Sequence, residues 1–120
     1  MPTTVLIADD HPSFRRFARK LLESAGYVVI GDAEDGAATI AAVRTLRPDV
    51  ILLDVLLPDM TGFDVARELA GRPERPLVVL TSSRSAADLG ALVSTTDAKG
   101  FISKSELTVA AFASLVSEAA

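Results

Sequence analysis

The sequence predicts an α/β protein built on a doubly wound sheet of five parallel strands, with five helices distributed over both faces. Apolar segments of strand length alternate five times with amphipathic segments of helix length. The central segment, Val50–Asp54, contains four large apolar residues in a row, which is typical of a strand buried on both faces. No internal repeat or interdomain linker interrupts the pattern, so residues 1–120 are expected to form a single domain.

The first half of the chain predicts two strands and two helices. Strands are expected at Thr4–Ala8 and, nearer an edge of the sheet, at residues 27–31. The helix between them ends at Gly26 and carries apolar residues at helical spacing, namely Phe14, Phe17, Ala18, Leu21, Leu22 and Ala25. A second helix is predicted over residues 37–46, and its inner face comprises Ile40, Val43 and Leu46.

The second half continues the alternation after the central strand. A short helix is predicted at residues 63–70, a fourth strand at residues 77–80 and a weak helix from about residue 85 to residue 93. The last strand is predicted at Gly100–Ser103. Ser105 is the expected N-cap of a final helix that runs to about residue 118, with an inner face of Leu107, Ala111, Phe112, Leu115 and Val116.

Composition and charge exclude several classes of protein. No apolar run approaches the roughly 18 residues that a membrane span needs, and no signal peptide is apparent, so a membrane protein is not expected. The absence of cysteine fits a reducing cytoplasm, where we expect the protein to reside. The net charge of −4, without a basic tract, argues against direct nucleic-acid binding by this domain. The single histidine, His11, makes a histidine-based zinc site improbable, and the sequence assigns it only a structural or solvent-facing place.

Polar side chains follow the points where the non-edge strands are predicted to end. Because the carboxyl ends of parallel strands meet along one rim, a single pocket is expected to contain Asp9, Asp10, Asp54, Thr81 and Lys104. Clustered carboxylates repel one another unless a cation lies among them, and oxygen ligands with room for water suit Mg²⁺. Burying an isolated charge is costly, so Asp54 is expected at the open end of its strand, facing water, a cation or a partner.

These residue types favour phosphoryl-transfer chemistry. A carboxylate such as Asp54 is a competent phosphoryl acceptor. The transfer requires neutralisation of the charge on the moving group, which Mg²⁺ and the Lys104 ammonium could supply. The Thr81 hydroxyl could form hydrogen bonds with the phosphoryl oxygens after transfer.

Five segments in order carry a resemblance to a known family, and they are residues 6–12, 48–54, 57–62, 77–82 and 100–104. Together they resemble the response-regulator receiver domains of two-component signal transduction over essentially the whole chain. The resemblance implies a flavodoxin-like fold with strand order 2-1-3-4-5. It also implies a phosphorylation-activated signalling switch that is not an enzyme in its own right, although it could catalyse its own dephosphorylation.

By that resemblance Asp54 is the phosphoacceptor, and the donor is the phosphohistidine of a sensor histidine kinase or phosphotransfer protein. Lys104 would pair with the phosphate, Thr81 would be the switch hydroxyl, and Phe101 would be the aromatic residue whose rotamer reports the state. Three carboxylates and one backbone carbonyl would bind Mg²⁺, and these belong to Asp9, Asp10, Asp54 and Leu56.

The same resemblance implies how the signal leaves the domain. Phosphorylation would change a face built from the fourth helix, the last strand and the fifth helix, and it could favour a homodimer. The segment at residues 100–107 is similar to receivers attached to helix-turn-helix DNA-binding output domains. The apolar Leu56 at a position that influences access of the attacking water suggests slow self-dephosphorylation.

Two questions remain open at this level. The segment from Thr81 to Lys104 is about one residue longer than usual for such domains, so either Thr81 or Ser82 could be the switch hydroxyl. A Mg²⁺-dependent aspartyl-phosphate phosphatase also uses an aspartate at a strand end. This phosphatase alternative is disfavoured because Val55 and Leu56 follow Asp54, where a phosphatase would need a second acid. A flavodoxin-like nucleotide binder would need a glycine-rich loop where acidic residues stand instead.

Overall fold

The computed structural model describes residues 2–73, 75–83 and 98–117. Within these ranges five strands pair in parallel in one sheet, with the order β2-β1-β3-β4-β5. This order confirms the prediction and places the second strand at an edge. The strands are β1 (Thr4–Ala8), β2 (Val28–Ala33), β3 (Val50–Asp54), β4 (Leu77–Ser82) and β5 (Gly100–Ser103).

Four α-helices lie within the described part of the chain, and they are α1 (Pro12–Ser24), α2 (Gly36–Leu46), α3 (Gly62–Ala70) and α4 (Val109–Ser117). The helix predicted from about residue 85 to residue 93 falls outside the described residues, so α4 corresponds to the helix predicted as the fifth. Among the described helices none combines the length and the apolar character that crossing a bilayer would require.

Both faces of the sheet are covered, which explains the uninterrupted apolar runs. Successive residues of a strand point to opposite faces, so each strand contributes to two buried clusters. The α1/α4 face is formed around Val5, Ile7, Ala18, Leu22, Val50, Leu52, Val79, Ile102 and Phe112. The α2/α3 face is formed around Leu6, Val43, Ile51, Leu53, Val65, Leu69 and Leu80.

Two apolar side chains that the helical pattern placed inward are in fact substantially exposed. Phe17 in α1 is 50% exposed, and Leu46 in the last turn of α2 is 43% exposed. In α1 only Ala18 and Leu22 are fully buried. A helix on the outside of a sheet buries one stripe, and the apolar residues of α1 cover more of its circumference than that stripe.

The start of the final helix differs from the prediction. Ser105 is not its N-cap, because residues Lys104–Glu106 form a short 3₁₀ turn and α4 begins at Val109. The cap is Thr108, whose Oγ1 accepts a hydrogen bond of 3.1 Å from the Ala111 N–H. The 3₁₀ turn is held by a hydrogen bond of 2.6 Å from Ser103 Oγ to Glu106 Oε1.

The first turn of α2 is capped by two carboxylates from different parts of the chain. Asp35 accepts a hydrogen bond of 2.7 Å from the Ala38 N–H. Asp59, in the loop between β3 and α3, accepts the Gly36 N–H at 2.7 Å and the Ala37 N–H at 3.0 Å. These two backbone donors lower the pKa of Asp59. The loop that follows Asp54 is thereby tied to the neighbouring helix.

Candidate functional site

Four polar side chains lie together at the carboxyl edge of the sheet, as the sequence predicted. Asp9 follows β1, Asp54 ends β3, Thr81 lies in β4 and Lys104 follows β5. Asp54 and Thr81 are direct register partners. The residues two positions before these four belong to the cluster on the α1/α4 face, and they are Ile7, Leu52, Val79 and Ile102. Because alternate residues along an extended chain share a face, the four polar side chains point toward the α1/α4 side of the sheet.

Lys104 binds two of the acidic side chains. Its Nζ lies 2.7 Å from Asp9 Oδ2 and 3.2 Å from Asp54 Oδ2. The same ammonium lies 4.6 Å from the centroid of the Phe14 ring, which is a cation–π distance. Burial alone would lower the pKa of Lys104, but contact with Asp9 and the charge of Asp54 outweigh burial and raise it. Lys104 is therefore held as a cation against the central carboxylate.

Asp54 lies at the end of its strand, is buried and faces a cation, which is one of the three surroundings expected from the sequence. The cation beside it is Lys104, and the Leu56 N–H donates to its Oδ1 at 3.3 Å. Burial and the charge of Asp9 raise the pKa of Asp54, while Lys104 and the Leu56 N–H lower it. The Asp54 carboxylate is therefore repelled by one acidic neighbour and attracted by a fixed ammonium. A cation or an anion added to the pocket would change the net electrostatic effect on this carboxylate.

The remaining acidic residues of the pocket, Asp9 and Asp10, are adjacent in sequence and share one contact. His11 Nδ1 lies 2.9 Å from Asp9 Oδ1 and 3.1 Å from Asp10 Oδ1. Asp9 is buried, whereas Asp10 is partly exposed at the mouth. The Arg15 side chain donates to the backbone carbonyl of Asp9 at 2.7 Å, which fixes the end of β1.

The switch-hydroxyl candidates differ in direction. Thr81 is 1% exposed, and its Oγ1 has no hydrogen-bond partner among the described residues. Its register partner is Asp54, so the two side chains share a face. Ser82 is the next residue of the same strand and therefore points to the α2/α3 face. Strand geometry favours Thr81 over Ser82 as the hydroxyl beside Asp54.

Two further predicted residues lie away from the carboxylates. Phe101 is partly buried and packs on the α2/α3 face, opposite to the pocket. Leu56 is 54% exposed in the loop after β3.

The loop after β3 is closed by a hydrogen bond of 2.7 Å from the Gly62 N–H to the Val55 carbonyl. A Cβ at Gly62 would overlap the Asp54 carbonyl oxygen. Gly62 therefore allows the loop to fold back over the strand end.

The donor atoms in the pocket fit a divalent cation. Ligand atoms of Asp9, Asp10, His11 and Asp54 all lie within 4.8 Å of one another. Three of the four are carboxylate oxygens, the donors that Mg²⁺ prefers. The buried Thr81 hydroxyl without a described partner lies next to them and can donate to an oxygen of a bound anion. The residue types and spacing thus suit a cation together with an anionic group.

Sequence reasoning missed three neighbours of the pocket. His11 has its Nδ1 among the carboxylates although its ring is 61% exposed. Arg15, a charged residue of α1 that the sequence did not single out, donates a hydrogen bond to the Asp9 carbonyl. Phe14 was assigned to the core face of α1, and its ring also lies under Lys104. Their positions at the start of the helix that follows Asp9 and Asp10 were the available signal.

The fold and the pocket define a flavodoxin-like α/β domain with an acidic, lysine-containing site at the carboxyl end of its sheet. A family model described as the response regulator receiver domain matches residues 5–113. The chain belongs to this family and is a receiver domain of two-component response regulators. Such domains are phosphorylation-activated switches that interact with histidine kinases or phosphotransfer proteins, and this membership does not favour the phosphatase alternative.

Curated relatives are longer regulatory proteins. The transcriptional regulatory protein TcrX of Mycobacterium tuberculosis is 41% identical over 88 residues, which cover 72% of this chain and 37% of TcrX. The DNA-binding response regulator MtrA of Mycolicibacterium smegmatis is 40% identical over 91 residues, which cover 74% of this chain and 39% of MtrA. A protein-glutamate methylesterase of Hahella chejuensis is 38% identical over 84 residues, 70% of this chain but 24% of that enzyme. The chain spans well under half the length of these relatives.

Solved structures share the fold over nearly the whole chain. The signal receiver domain of NarL from Mycobacterium tuberculosis superposes with a TM-score of 0.83 at 30% identity, covering 95% of this chain and 96% of that one. The chemotaxis response regulator CheY4 of Vibrio cholerae superposes with a TM-score of 0.79 at 24% identity, covering 99% and 96%. The second likeness is one of fold alone.

Proposed function

We propose that this domain accepts a phosphoryl group on Asp54 from the phosphohistidine of a sensor kinase or phosphotransfer protein. The observation that carries the proposal is the placement of the buried Asp54 carboxylate, 3.2 Å from the Lys104 ammonium and in register with Thr81. The Asp54 oxygen attacks the phosphorus, the bond from phosphorus to the histidine nitrogen breaks, and that nitrogen keeps the electron pair. Lys104 offsets negative charge on the phosphoryl oxygens during the transfer.

The switch follows from the unequal affinity of two arrangements for the new group. A phosphoryl group on Asp54 adds negative charge and strong acceptor oxygens next to a hydroxyl that lacks a described partner. Thr81 and Lys104 bind those oxygens better after they move toward Asp54, so phosphorylation shifts the population toward that arrangement. Phe101, which pairs with Leu80 on the neighbouring strand and lies on the face opposite to Thr81, changes rotamer in response, which alters the surface of β5 and α4.

Mg²⁺ is the proposed cofactor. Its ligands would be the side chains of Asp9, Asp10 and Asp54 and the backbone carbonyl of Leu56, with Asp9 acting directly or through a water molecule. When bound, the ion would neutralise the charge of the acidic cluster and of the phosphoryl oxygens. The chain's own contribution is to hold Asp54 in line with the donor and to keep Lys104 charged beside it.

The output is proposed by analogy with the longer relatives. TcrX is named as a transcriptional regulatory protein and MtrA as a DNA-binding response regulator, so this receiver would control a DNA-binding output domain or a partner without contacting DNA itself. A cytoplasmic location would place it beside its kinase.

Phosphorylation would favour a homodimer through the surface of β5 and α4. Light scattering with and without beryllofluoride tests this, and an unchanged mass would contradict it.

The central test is labelling with acetyl phosphate and Mg²⁺, followed by intact-mass analysis. We expect one acid-stable, base-labile adduct on the wild-type chain and none on Asp54→Asn. Glu34→Gln, which removes an exposed carboxylate beyond β2, is the matched control and should label normally. Asp10→Asn should label only at higher Mg²⁺ concentration. An adduct that survives in Asp54→Asn would contradict the proposal.

The phosphatase alternative predicts a different result in the same assay. Rapid turnover of several phosphomonoesters, with no accumulating adduct, would support a hydrolase. We expect no such turnover, because Val55 and Leu56 follow Asp54 and supply no second acid for the leaving group. Slow loss of the adduct by self-catalysed hydrolysis is compatible with the switch and is part of this proposal.

A further inference from the structure

His11 occupies the centre of the acidic pocket through a single ring atom. Its Nδ1 lies 2.9 Å from Asp9 Oδ1, 3.1 Å from Asp10 Oδ1 and 4.0 Å from Asp54 Oδ2. The His11 N–H also donates to Asp9 Oδ1 at 2.8 Å, which fixes the backbone from which the ring projects. The imidazole is therefore directed among the three carboxylates although most of the ring faces outward.

These separations match those between ligands of one cation. In an octahedral site with bonds of about 2.1 Å, adjacent ligand atoms are about 3.0 Å apart and opposite ones about 4.2 Å apart. The distances from Nδ1 to Asp9 and Asp10, 2.9 and 3.1 Å, correspond to adjacent positions. The distance of 4.0 Å to Asp54 corresponds to a nearly opposite position. An ion between these atoms would require the Lys104 ammonium, now 3.4 Å from Nδ1 and 3.2 Å from Asp54 Oδ2, to move away from them.

The surroundings of Nδ1 place a hydrogen-bond donor and two acceptors beside one ring atom. Lys104 Nζ, a donor, lies 3.4 Å from Nδ1, while Asp9 and Asp10 present acceptors at about the same range. Nδ1 carries either a proton or a lone pair, so it satisfies the carboxylates or the ammonium but not both. A divalent ion bound to the lone pair would connect Nδ1 to the carboxylates and would displace the Lys104 ammonium from the ring. The buried Thr81 hydroxyl without a described partner is an independent sign that this pocket receives a ligand.

We propose that His11 Nδ1 is a fourth protein ligand of the divalent cation in this pocket, and that it makes the pocket bind Mn²⁺ and other first-row transition ions in preference to Mg²⁺. The inference rests on the metal pocket of the proposed function. Carboxylate oxygens alone suit Mg²⁺ and Mn²⁺, whereas an imidazole nitrogen adds affinity for transition ions and little for Mg²⁺. The nature of the ion present could then influence how readily Asp54 is phosphorylated.

The direct test is pulsed electron paramagnetic resonance of Mn²⁺ bound to the whole chain after removal of any affinity tag. The sequence contains one histidine, so an imidazole nitrogen signal can come only from His11. We expect nitrogen modulation of the Mn²⁺ signal in the wild-type protein, a change of that modulation on labelling histidine with ¹⁵N, and its loss in His11→Asn. Bound Mn²⁺ without nitrogen modulation would overturn the inference.

Affinity supplies a second readout. His11→Asn should weaken Mn²⁺ binding by about tenfold or more, while Mg²⁺ binding changes far less. Ser13→Ala, an exposed change in the same first turn of α1, is the matched control and should alter neither affinity. Tighter Mn²⁺ binding by His11→Asn would overturn the inference, because it would make His11 a competitor of the ion.

Labelling with acetyl phosphate separates this inference from the proposed function. If wild-type Asp54 is labelled with Mg²⁺ and the Mn²⁺ complex lacks nitrogen modulation, the role of His11 is overturned and the switch stands. If nitrogen modulation is present but Asp54 is never labelled, the metal ligand stands and the switch is overturned.

Discussion

The buried Thr81 hydroxyl slightly lowers the folding stability of the unmodified domain. Its hydroxyl is buried and has no hydrogen-bond partner in the described part of the chain. A buried hydroxyl without a partner costs about 1–3 kcal/mol of folding free energy. In the proposed phosphorylated state the oxygens on Asp54 would accept this hydroxyl and remove the cost, so Thr81 would add to the free-energy difference between the two states.

Replacing Thr81 with valine should therefore separate stability from switching. We expect Thr81→Val to raise the free energy of unfolding of the unmodified protein by about 1 kcal/mol, because the unsatisfied hydroxyl is lost. Thr39→Val is the matched control: Thr39 is equally buried, but its hydroxyl donates to the Asp35 carbonyl at 2.7 Å, so this change should destabilise by about 1 kcal/mol. Urea unfolding measures both, and equal destabilisation by the two variants would refute the account.

Leu56 is the basis of a second single-residue prediction, which concerns the rate at which the phosphoryl group is lost. Its side chain is apolar, exposed and two residues beyond Asp54, so it gives an attacking water no hydrogen bond. We expect slow loss of the phosphoryl group in Mg²⁺, and about fivefold faster loss in Leu56→Asn, because one hydrogen bond in the transition state is worth about 1 kcal/mol. Leu46→Asn, a change at another exposed leucine, should leave the rate unchanged. A wild-type lifetime of only seconds would contradict this expectation.

The pocket residues were predictable where chain direction alone decides the outcome. Asp9, Asp54 and Lys104 meet because parallel strands end at one rim. The burial of Asp54 was not predictable, since it depends on Lys104 reaching across from the far side of β4. The place of His11 was missed for a related reason: its ring lies in the pocket because of the turn between β1 and α1, which the residue types do not specify.

At the scale of elements, the start of α4 shows how a local preference is overridden. Ser105 is a good N-cap by residue type, but the chain makes a 3₁₀ turn there and buries Leu107 before the helix begins. The choice between Ser105 and Thr108 depends on that burial and on the bond between Ser103 and Glu106, which capping preference does not include. By contrast, the bounds of β1 and β3 were predicted correctly, because continuous apolar runs have few alternatives in a covered sheet.

The revised cap is open to a direct measurement. Thr108→Ala should lower the free energy of unfolding by about 1 kcal/mol, because the Ala111 N–H loses its acceptor. Ser105→Ala should have a much smaller effect, since Ser105 only approaches Ser103 at 3.5 Å. Thermal or urea unfolding of both variants gives the comparison. A larger loss for Ser105→Ala would restore the cap expected from the sequence.

Asp59 predicts a specific acid sensitivity of α2. The N–H groups of Gly36 and Ala37 lower its pKa from the ordinary value of 3.8. A carboxyl group with a lower pKa in the folded state stabilises above its ordinary pKa, and the stabilisation is lost as pH falls through the lowered value. Below about pH 4 the wild type should therefore lose stability faster than Asp59→Asn, which urea midpoints measured over a pH series would test. Parallel curves for the two proteins would argue against the cap.

For the whole molecule, the acidic groups clustered at one end lead us to expect that stability depends on divalent cations. Binding to the folded pocket but not to the unfolded chain stabilises by RT ln(1 + [L]/Kd), about 1.4 kcal/mol at roughly ten times Kd. We expect Mg²⁺ to raise the melting temperature of the wild type and to have little effect on Asp10→Asn. Na⁺ at matched ionic strength is the control for screening. An equal shift for both proteins would assign the effect to surface charge.

The overall architecture was the most predictable level, because alternation of strands and helices with right-handed crossovers permits few arrangements. The order β2-β1-β3-β4-β5 came from the family resemblance, and the structure confirms it. The exposed Phe17 and Leu46 show the limit, since amphipathic spacing gives the direction of a helix face but not how much of that face the sheet can cover.

Copying the residue types of this pocket into another protein would not by itself reproduce its geometry. Asp54 and Thr81 lie side by side because their strands are in phase, with both side chains on the α1/α4 face. One residue inserted into β4 ahead of Thr81 would rotate its hydroxyl through the sheet to the opposite side, while every residue type was retained. A protein engineer who grafts this site onto another parallel sheet must therefore copy the phase of each strand, and can leave the sequences of the crossover helices free.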